Sequence, residues 1–214
     1  MTQRVICIAR IQGAGGDDIG RMVADGLGYR LVDEEIVQRA AESEGIAVEE
    51  LFEVERRRSV IDRLLESLAL AGSSDAYMVG VAPSVPPLTA MIDPRSLRAL
   101  IQRSIHETAD GGGGGVVIVS HAASYALAGR PDVLRVLVTA SPATRLARIA
   151  EANGLDDKRA TKAMESDDAG RADYLKKFYD VSQESPSHYD LVLNSDSLSA
   201  DVISSIVTMA ARAV

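Results

Sequence analysis

Tryptophan is absent from the chain, and only two phenylalanines and six tyrosines are present. Single-stranded nucleic acid would find few stacking platforms here. Cysteine occurs once, so no intrachain disulfide can form. Cys7 lies in the apolar run Val5-Ile6-Cys7-Ile8-Ala9 and reads as a buried, inert thiol. No apolar run approaches the roughly 20 residues that cross a bilayer. Met1-Thr2-Gln3-Arg4 lacks the apolar stretch and small-residue cleavage site of a signal peptide. The expected address is the cytoplasm, away from membranes. Positive charge is also short: 23 Lys plus Arg face 31 Asp plus Glu, a net −8. That balance excludes holding duplex DNA by bulk charge. Lysine is the scarcest of the common charged residues, with four (Lys158, Lys162, Lys176, Lys177) against 19 arginines.

Enough apolar material remains to fill a core. Of 214 residues, 46% are hydrophobic and 25% charged, which fits one folded domain and excludes disorder over most of the chain. Short apolar runs predict strands at Val5–Ala9, Arg30–Val32, Val116–Val119, Val133–Val138 and Tyr189–Leu193. Helical spacing falls between them. Ile19, Met22, Val23 and Leu27 repeat on one face with Gly28 as C-cap. Asp93-Pro94 and Ser141-Pro142 read as helix starts. Helical stretches are expected at Asp156–Glu165 and Asp168–Tyr179, and a closing helix at Ser199–Arg212. Strands alternating with helices give an α/β fold with a mostly parallel sheet. In the middle, Leu51 to Leu68 carries an apolar stripe, and a Gly-, Ser- and Pro-rich stretch follows it. The five glycines Gly111–Gly115 read as a connector before a strand.

In such sheets ligands sit at the carboxyl ends of the strands. The first strand ends in Arg10-Ile11-Gln12-Gly13-Ala14-Gly15-Gly16-Asp17-Asp18-Ile19-Gly20. A strand, a glycine loop and a helix start make an anion cradle of backbone N–H groups at a helix N-terminus. Gly13 through Ala24, with Leu27-Gly28 and Asp33-Glu34-Glu35-Ile36, resembles the opening of the cytidylate kinase-like family, relatives of the nucleoside monophosphate kinases. Asp168-Ala169-Gly170-Arg171 with Tyr174 resembles that family's lid segment, and Tyr189 to Ser195 its last strand and turn.

The resemblance implies a P-loop kinase-like fold: a five-stranded parallel sheet in the order 2-3-1-4-5, a helical acceptor-binding insertion at about 34–110 and a helical lid at about 153–184. It implies ATP and Mg²⁺ as cofactors and a cytidylate-like acceptor. Gly13, Ala14, Gly15, Gly16, Asp17 and Asp18 would hold the cofactor, with Asp18 on the metal. Arg10, Asp168 and Arg171 would be catalytic. Asp33, His121, Arg145 and Arg148 would bind substrate. The expected partner is a nucleotide or another phosphate-bearing small molecule, with no nucleic acid and no membrane. The apolar stripe would also serve a homodimer.

The chain departs from the P-loop pattern G-x-x-x-x-G-K-[ST], in which Lys and the hydroxyl serve phosphate and Mg²⁺. Aligned on the loop, Gly16 stands in the Lys place and Asp18 in the Ser/Thr place. Asp17 and Asp18 read either as first-turn helix stabilisers or, for Asp18, as a Mg²⁺ ligand. Ser120-His121-Ala122 replaces the family's Gly-Arg at the third strand, and Ser166 stands where a further lid arginine is usual. Arg145 and Arg148 share a helix face, set to reach a nucleotide or to pair with acids. His106 and His188 read as solvated. Two functions follow: a monophosphate kinase-like phosphotransferase, or a degenerate kinase fold that binds a nucleotide or anion without turnover.

Overall fold

The computed structural model describes residues 4–33, 94–111, 113–119 and 122–213, with the backbone alone for 94–98. Five strands form one parallel sheet: β1 (Val5–Arg10), β2 (Arg30–Val32), β3 (Val116–Val119), β4 (Val133–Thr139) and β5 (Leu191–Asn194). Their order is β2-β3-β1-β4-β5, as the resemblance implied. β1 is central, with Ile8 opposite Val119 of β3 and Arg10 opposite Val138 of β4. The chain leaves β1 toward one side of the sheet and later returns to its other side, so the end of β1 is a topological switch point.

The alternation of side chains along β1 explains the two layers. Ile6 and Ile8 pack against Ile19 and Val23 of α1 (Gly16–Leu27) and Ile203 and Val207 of α6 (Ala200–Ala213). Val5 and Cys7 face Leu100, Ile101 and Ile105 of α2 (Pro94–Asp110), together with α3 (Ala123–Ala126) and Phe178 of α5 (Asp157–Tyr179). Residues 34–93, with the apolar stripe and the dimer expected of it, lie outside the described residues. The last helix of the expected 34–110 insertion, α2, is itself part of the core layer.

Helix ends fall where capping chemistry puts them. Gly28 takes the left-handed conformation (φ 68°) and closes α1. Ser141 accepts from the Thr144 N–H ahead of Pro142 and opens α4 (Pro142–Asn153). Two expectations need correction. The two helices expected at 156–165 and 168–179 are one continuous 23-residue helix, α5. No proline interrupts Ser166-Asp167, and Asp156 supplies the N-cap by accepting from the Arg159 N–H. The fifth strand begins at Leu191 rather than Tyr189, because Pro186–His188 forms a 3₁₀ turn before it.

Candidate functional site: a carbonyl-out loop at the end of the central strand

The loop from Ile11 to Gly15 turns every one of its carbonyls toward a protein donor. Ile11 O accepts from Ala14 N–H at 2.9 Å and Gly15 O from Ile19 N–H at 3.2 Å. Gln12 O accepts from Arg145 Nε at 2.7 Å, Gly13 O from Arg148 Nη1 at 3.2 Å, and Ala14 O from Ser195 Oγ at 2.8 Å. With the carbonyls directed away, the N–H groups of Gly13, Gly15, Gly16, Asp17 and Asp18 find no protein acceptor among the described residues. The last three belong to the first turn of α1, where helix N–H groups have no intrahelical partner. Backbone geometry demands the glycines. Gly13 and Gly15 sit at φ 79° and 84°, where side-chain-bearing residues are strained. A Cβ on Gly16 would come within 2.7 Å of Arg10 Cβ.

A cleft of about 460 Å³ opens between this loop and Ala163, Ser166 and Asp167 of α5. Arg10 and Asp17 border it and pair at 2.7 Å, both less than half exposed. Burial pulls the Arg10 guanidinium down, but Asp17, with Asp33 and Asp167 farther off, outweighs it and holds it above its ordinary value. Burial raises the Asp167 carboxyl; Arg10 opposes that rise and the neighbouring Asp168 adds to it. Two buried oxygens at the loop have no partner, Gln12 Oε1 and Asp17 Oδ1. Donors converging on a cleft, with unsatisfied oxygens beside them, suit an anion and a cation together.

The model of the cytidylate kinase-like family matches residues 5–197. The chain belongs to the cytidylate kinase-like family. A cytidylate kinase of Methanocorpusculum labreanum is 27% identical over 205 residues, 96% of this chain and 94% of that protein. A cytidylate kinase of Methanoculleus marisnigri is 30% identical over 129 residues, 60% of this chain and 65% of that protein. Among solved structures, an uncharacterized protein from Eubacterium ventriosum matches with TM-score 0.67 at 19% identity over 98% of both chains. Shikimate kinase from Bacteroides thetaiotaomicron matches with TM-score 0.52 at 15% identity over 96% of both. These structural likenesses show the fold, that of the P-loop kinases.

The other described residues expected at the site are spread around the loop rather than gathered in the cleft. Asp18 points away from the cleft and pairs with Arg21 at 2.6 Å, largely exposed; Asp17 is the cleft-side carboxylate. Arg145 and Arg148 stand behind the loop. Besides its bond to Gln12 O, buried Arg145 makes a bidentate pair with Asp168 at 3.0 and 2.6 Å. Arg148 also reaches Ser195 Oγ and Ser195 O at 2.8 and 3.0 Å. Arg171 contacts Arg10 O at 3.3 Å and is held by Glu184 through two bonds of 3.0 and 2.5 Å. Tyr189 donates to the same carboxylate. Burial raises Glu184, but the hydrogen bond and charge of Arg171 prevail and hold it below the ordinary carboxylate value. Asp33 follows β2 directly and acts electrostatically on Arg10. His121 lies outside the described residues.

Sequence reasoning missed Ser195, Glu184 and Asp167 as site residues. Asp167 had a readable signal, being the acid next to the family-matching Asp168. Ser195 closes the family-matching stretch from Tyr189, but its loop partner lies 181 positions away, and Glu184, 13 positions from Arg171, had no signal. His188, read as solvated, is half-buried with its ring stacked on Tyr125 at 3.7 Å between centroids. Burial holds it below its ordinary value, with Arg135 adding to the effect. Among the described residues no group of three or more His, Cys, Asp or Glu side chains is set to hold a metal ion. No helix there is long and apolar enough to cross a membrane.

Proposed function

We propose that the protein is a nucleoside monophosphate kinase-like phosphotransferase, with ATP and Mg²⁺ as donor and a cytidylate-like nucleotide as acceptor. The carbonyl-out loop carries the reading. Five backbone N–H groups without protein acceptors among the described residues, beside a cleft, are suited to polyphosphate oxygens. Bound ATP with Mg²⁺ supplies the phosphoryl group and part of the counter-charge. The loop amides hold phosphate oxygens without needing a side-chain cation. Arg10 at the strand end and Arg171 on the helix across the cleft supply positive charge against the negative charge of the transferring phosphoryl group. In this reading Asp33, directly after β2, serves the acceptor nucleotide. Asp17 Oδ1, buried and unpartnered, fits a divalent cation better than Asp18, whose carboxylate is taken by Arg21. Family membership supports the nucleotide as ligand class.

A second reading, nucleotide binding without turnover, is favoured by one specific observation. Arg10, Arg145 and Arg171 each carry a carboxylate partner: Asp17, Asp168 and Glu184. Among the described residues no lysine borders the cleft. Removing one preorganised charge-stabilising donor costs about 10²–10³ in rate. Calorimetric titration with ATP and CMP, followed by a coupled assay of ADP formation, separates the readings. CMP-dependent ADP release supports the phosphotransferase. Binding without ADP release selects the module, and no binding overturns both.

A further inference from the structure

We infer that Ser195 is a positioning residue for the phosphate loop: with Arg148 and Arg145 it forms a clamp on three successive carbonyls, and this clamp keeps the loop's N–H groups turned into the cleft. The inference rests on the phosphate-binding reading of that loop.

A peptide plane has two faces to offer. Rotating it turns a carbonyl, which repels phosphate, toward the place where an N–H had been. Among the described residues, backbone holds the outer two carbonyls of this loop, at Ile11 and Gly15. The three between them, on Gln12, Gly13 and Ala14, are held only by side chains from distant parts of the chain. Gly13 and Gly15 flank the Ala14 peptide and leave it little intrinsic preference, since glycine populates both signs of φ. The external donors therefore choose its orientation.

Ser195 is the member with a defined direction. Its hydroxyl has one proton. Arg148 Nη1 donates to Ser195 Oγ at 2.8 Å, which occupies a lone pair, and the proton goes to Ala14 O at 2.8 Å. Arg148 thus sets the hydroxyl, and the hydroxyl sets the loop. Ser195 is buried and its own backbone is fixed, with its N–H on Thr139 O at 2.8 Å and its carbonyl on Arg148 Nη2 at 3.0 Å. The next residue, Asp196, accepts from the Ser141 N–H at 3.0 Å, which ties the turn to the start of α4. The clamp therefore stands on rigid elements, as positioning groups require.

Two measurements on the full chain test this. The first is calorimetric affinity for inorganic tripolyphosphate without metal. The second is the ¹⁵N–¹H NMR signals of Gly13, Gly15 and Gly16. Ser195→Ala leaves Ala14 O without its donor, and an unmade bond of this kind is worth on the order of ten-fold in affinity. The expected result is that loss, with the three glycine signals displaced, and recovery of both in Ser195→Thr, which keeps the hydroxyl. Unchanged affinity and unchanged glycine signals in folded Ser195→Ala overturn the inference, and so does a loss that threonine fails to restore. If Ser195→Ala does not fold, Arg148→Lys serves, because a single ammonium nitrogen cannot stand at both Nη1 and Nη2 of the planar fork; undisturbed glycine signals there overturn the clamp. If the wild-type chain binds no tripolyphosphate, the phosphate-binding reading fails, and the glycine signals of the variants still decide whether the clamp exists.

Discussion

Replacing Asp17 with asparagine is the perturbation whose sign the structure fixes most directly. Asp17 borders the cleft, and its second oxygen neutralises Arg10 at 2.7 Å. Asp17→Asn removes a negative charge from beside the loop and frees Arg10 Nη1. A phosphate held by the loop amides would lie about 6 Å from that carboxylate. At an effective dielectric of ~20 the repulsion is roughly 3 kcal/mol per charge pair. The Asp17 side chain is 43% exposed, so solvent and salt cut this value. With about 1 kcal/mol surviving, affinity rises about five-fold. The assay is titration with ATP in EDTA, where only the charge effect operates. Stability moves the opposite way. An acid in the first turn of α1 favours the helix dipole by ~0.3–1 kcal/mol, and an exposed ion pair adds 0.2–1, so a loss of about 1 kcal/mol is expected in urea unfolding. Adding Mg²⁺ should reverse the gain in affinity, since Asp17 Oδ1 is the oxygen proposed for the metal. No change in metal-free ATP affinity, with the protein folded, would show that Asp17 does not face bound phosphate and refute the reasoning.

The glycines of the loop should separate by mechanism. Gly13→Ala forces a Cβ to within 2.8 Å of Arg145 O at φ 79° and should lower the melting temperature clearly. Gly15→Ala meets nothing within 4 Å and pays only for its φ of 84°, roughly 1 kcal/mol. Cys7 is fully buried, and burial pushes its thiol up to about 12. A thiol reagent at pH 8 should leave the native protein unlabelled and react once it is unfolded; prompt native labelling would contradict the core placement. Glu184 is held below its ordinary 4.5 by Arg171, so it favours the folded state above that pH and ceases to do so as pH falls through its folded value. Glu184→Gln should cost about 1–3 kcal/mol near pH 7. Chemical unfolding should show that difference shrinking below about pH 4.5; a constant difference down to pH 3 would deny the pair its role.

The sheet was legible because its strands are short, apolar and bounded by helix starts with standard caps. Val116–Val119 matches its expected bounds, and β1 and β4 each run one residue beyond theirs. The glycine loop was legible as a cradle for the same reason: strand, glycines and helix follow directly in the sequence. What stayed hidden depends on contacts across sequence distance. Asp17 and Asp18 look alike in a row of letters, and only the turn of α1 sends one to Arg10 and the other to Arg21. Arg145 and Arg148 share a helix face as spacing demands, but spacing does not say that the face looks at loop carbonyls. The break expected within 166–167 is absent, since serine and aspartate continue a helix when no proline intervenes.

The continuity of α5 bears on the missing lysine. At 1.5 Å per residue its 23 residues make a rod of about 34 Å. The rod is fastened part-way along, where Asp168 meets Arg145 and Arg171 meets Arg10 and Glu184. Lys158 and Lys162 precede that fulcrum, and Lys176 and Lys177 follow it. Lys158 lies ten residues from Asp168, a lever arm of about 15 Å, so a 10° tilt carries it about 3 Å. Leu175 and Phe178 anchor the other end in the core, so Lys176 and Lys177 do not travel with such a tilt. A substitute for the ammonium absent at Gly16 is therefore to be sought in Lys158 or Lys162, on the arm that precedes the fastening.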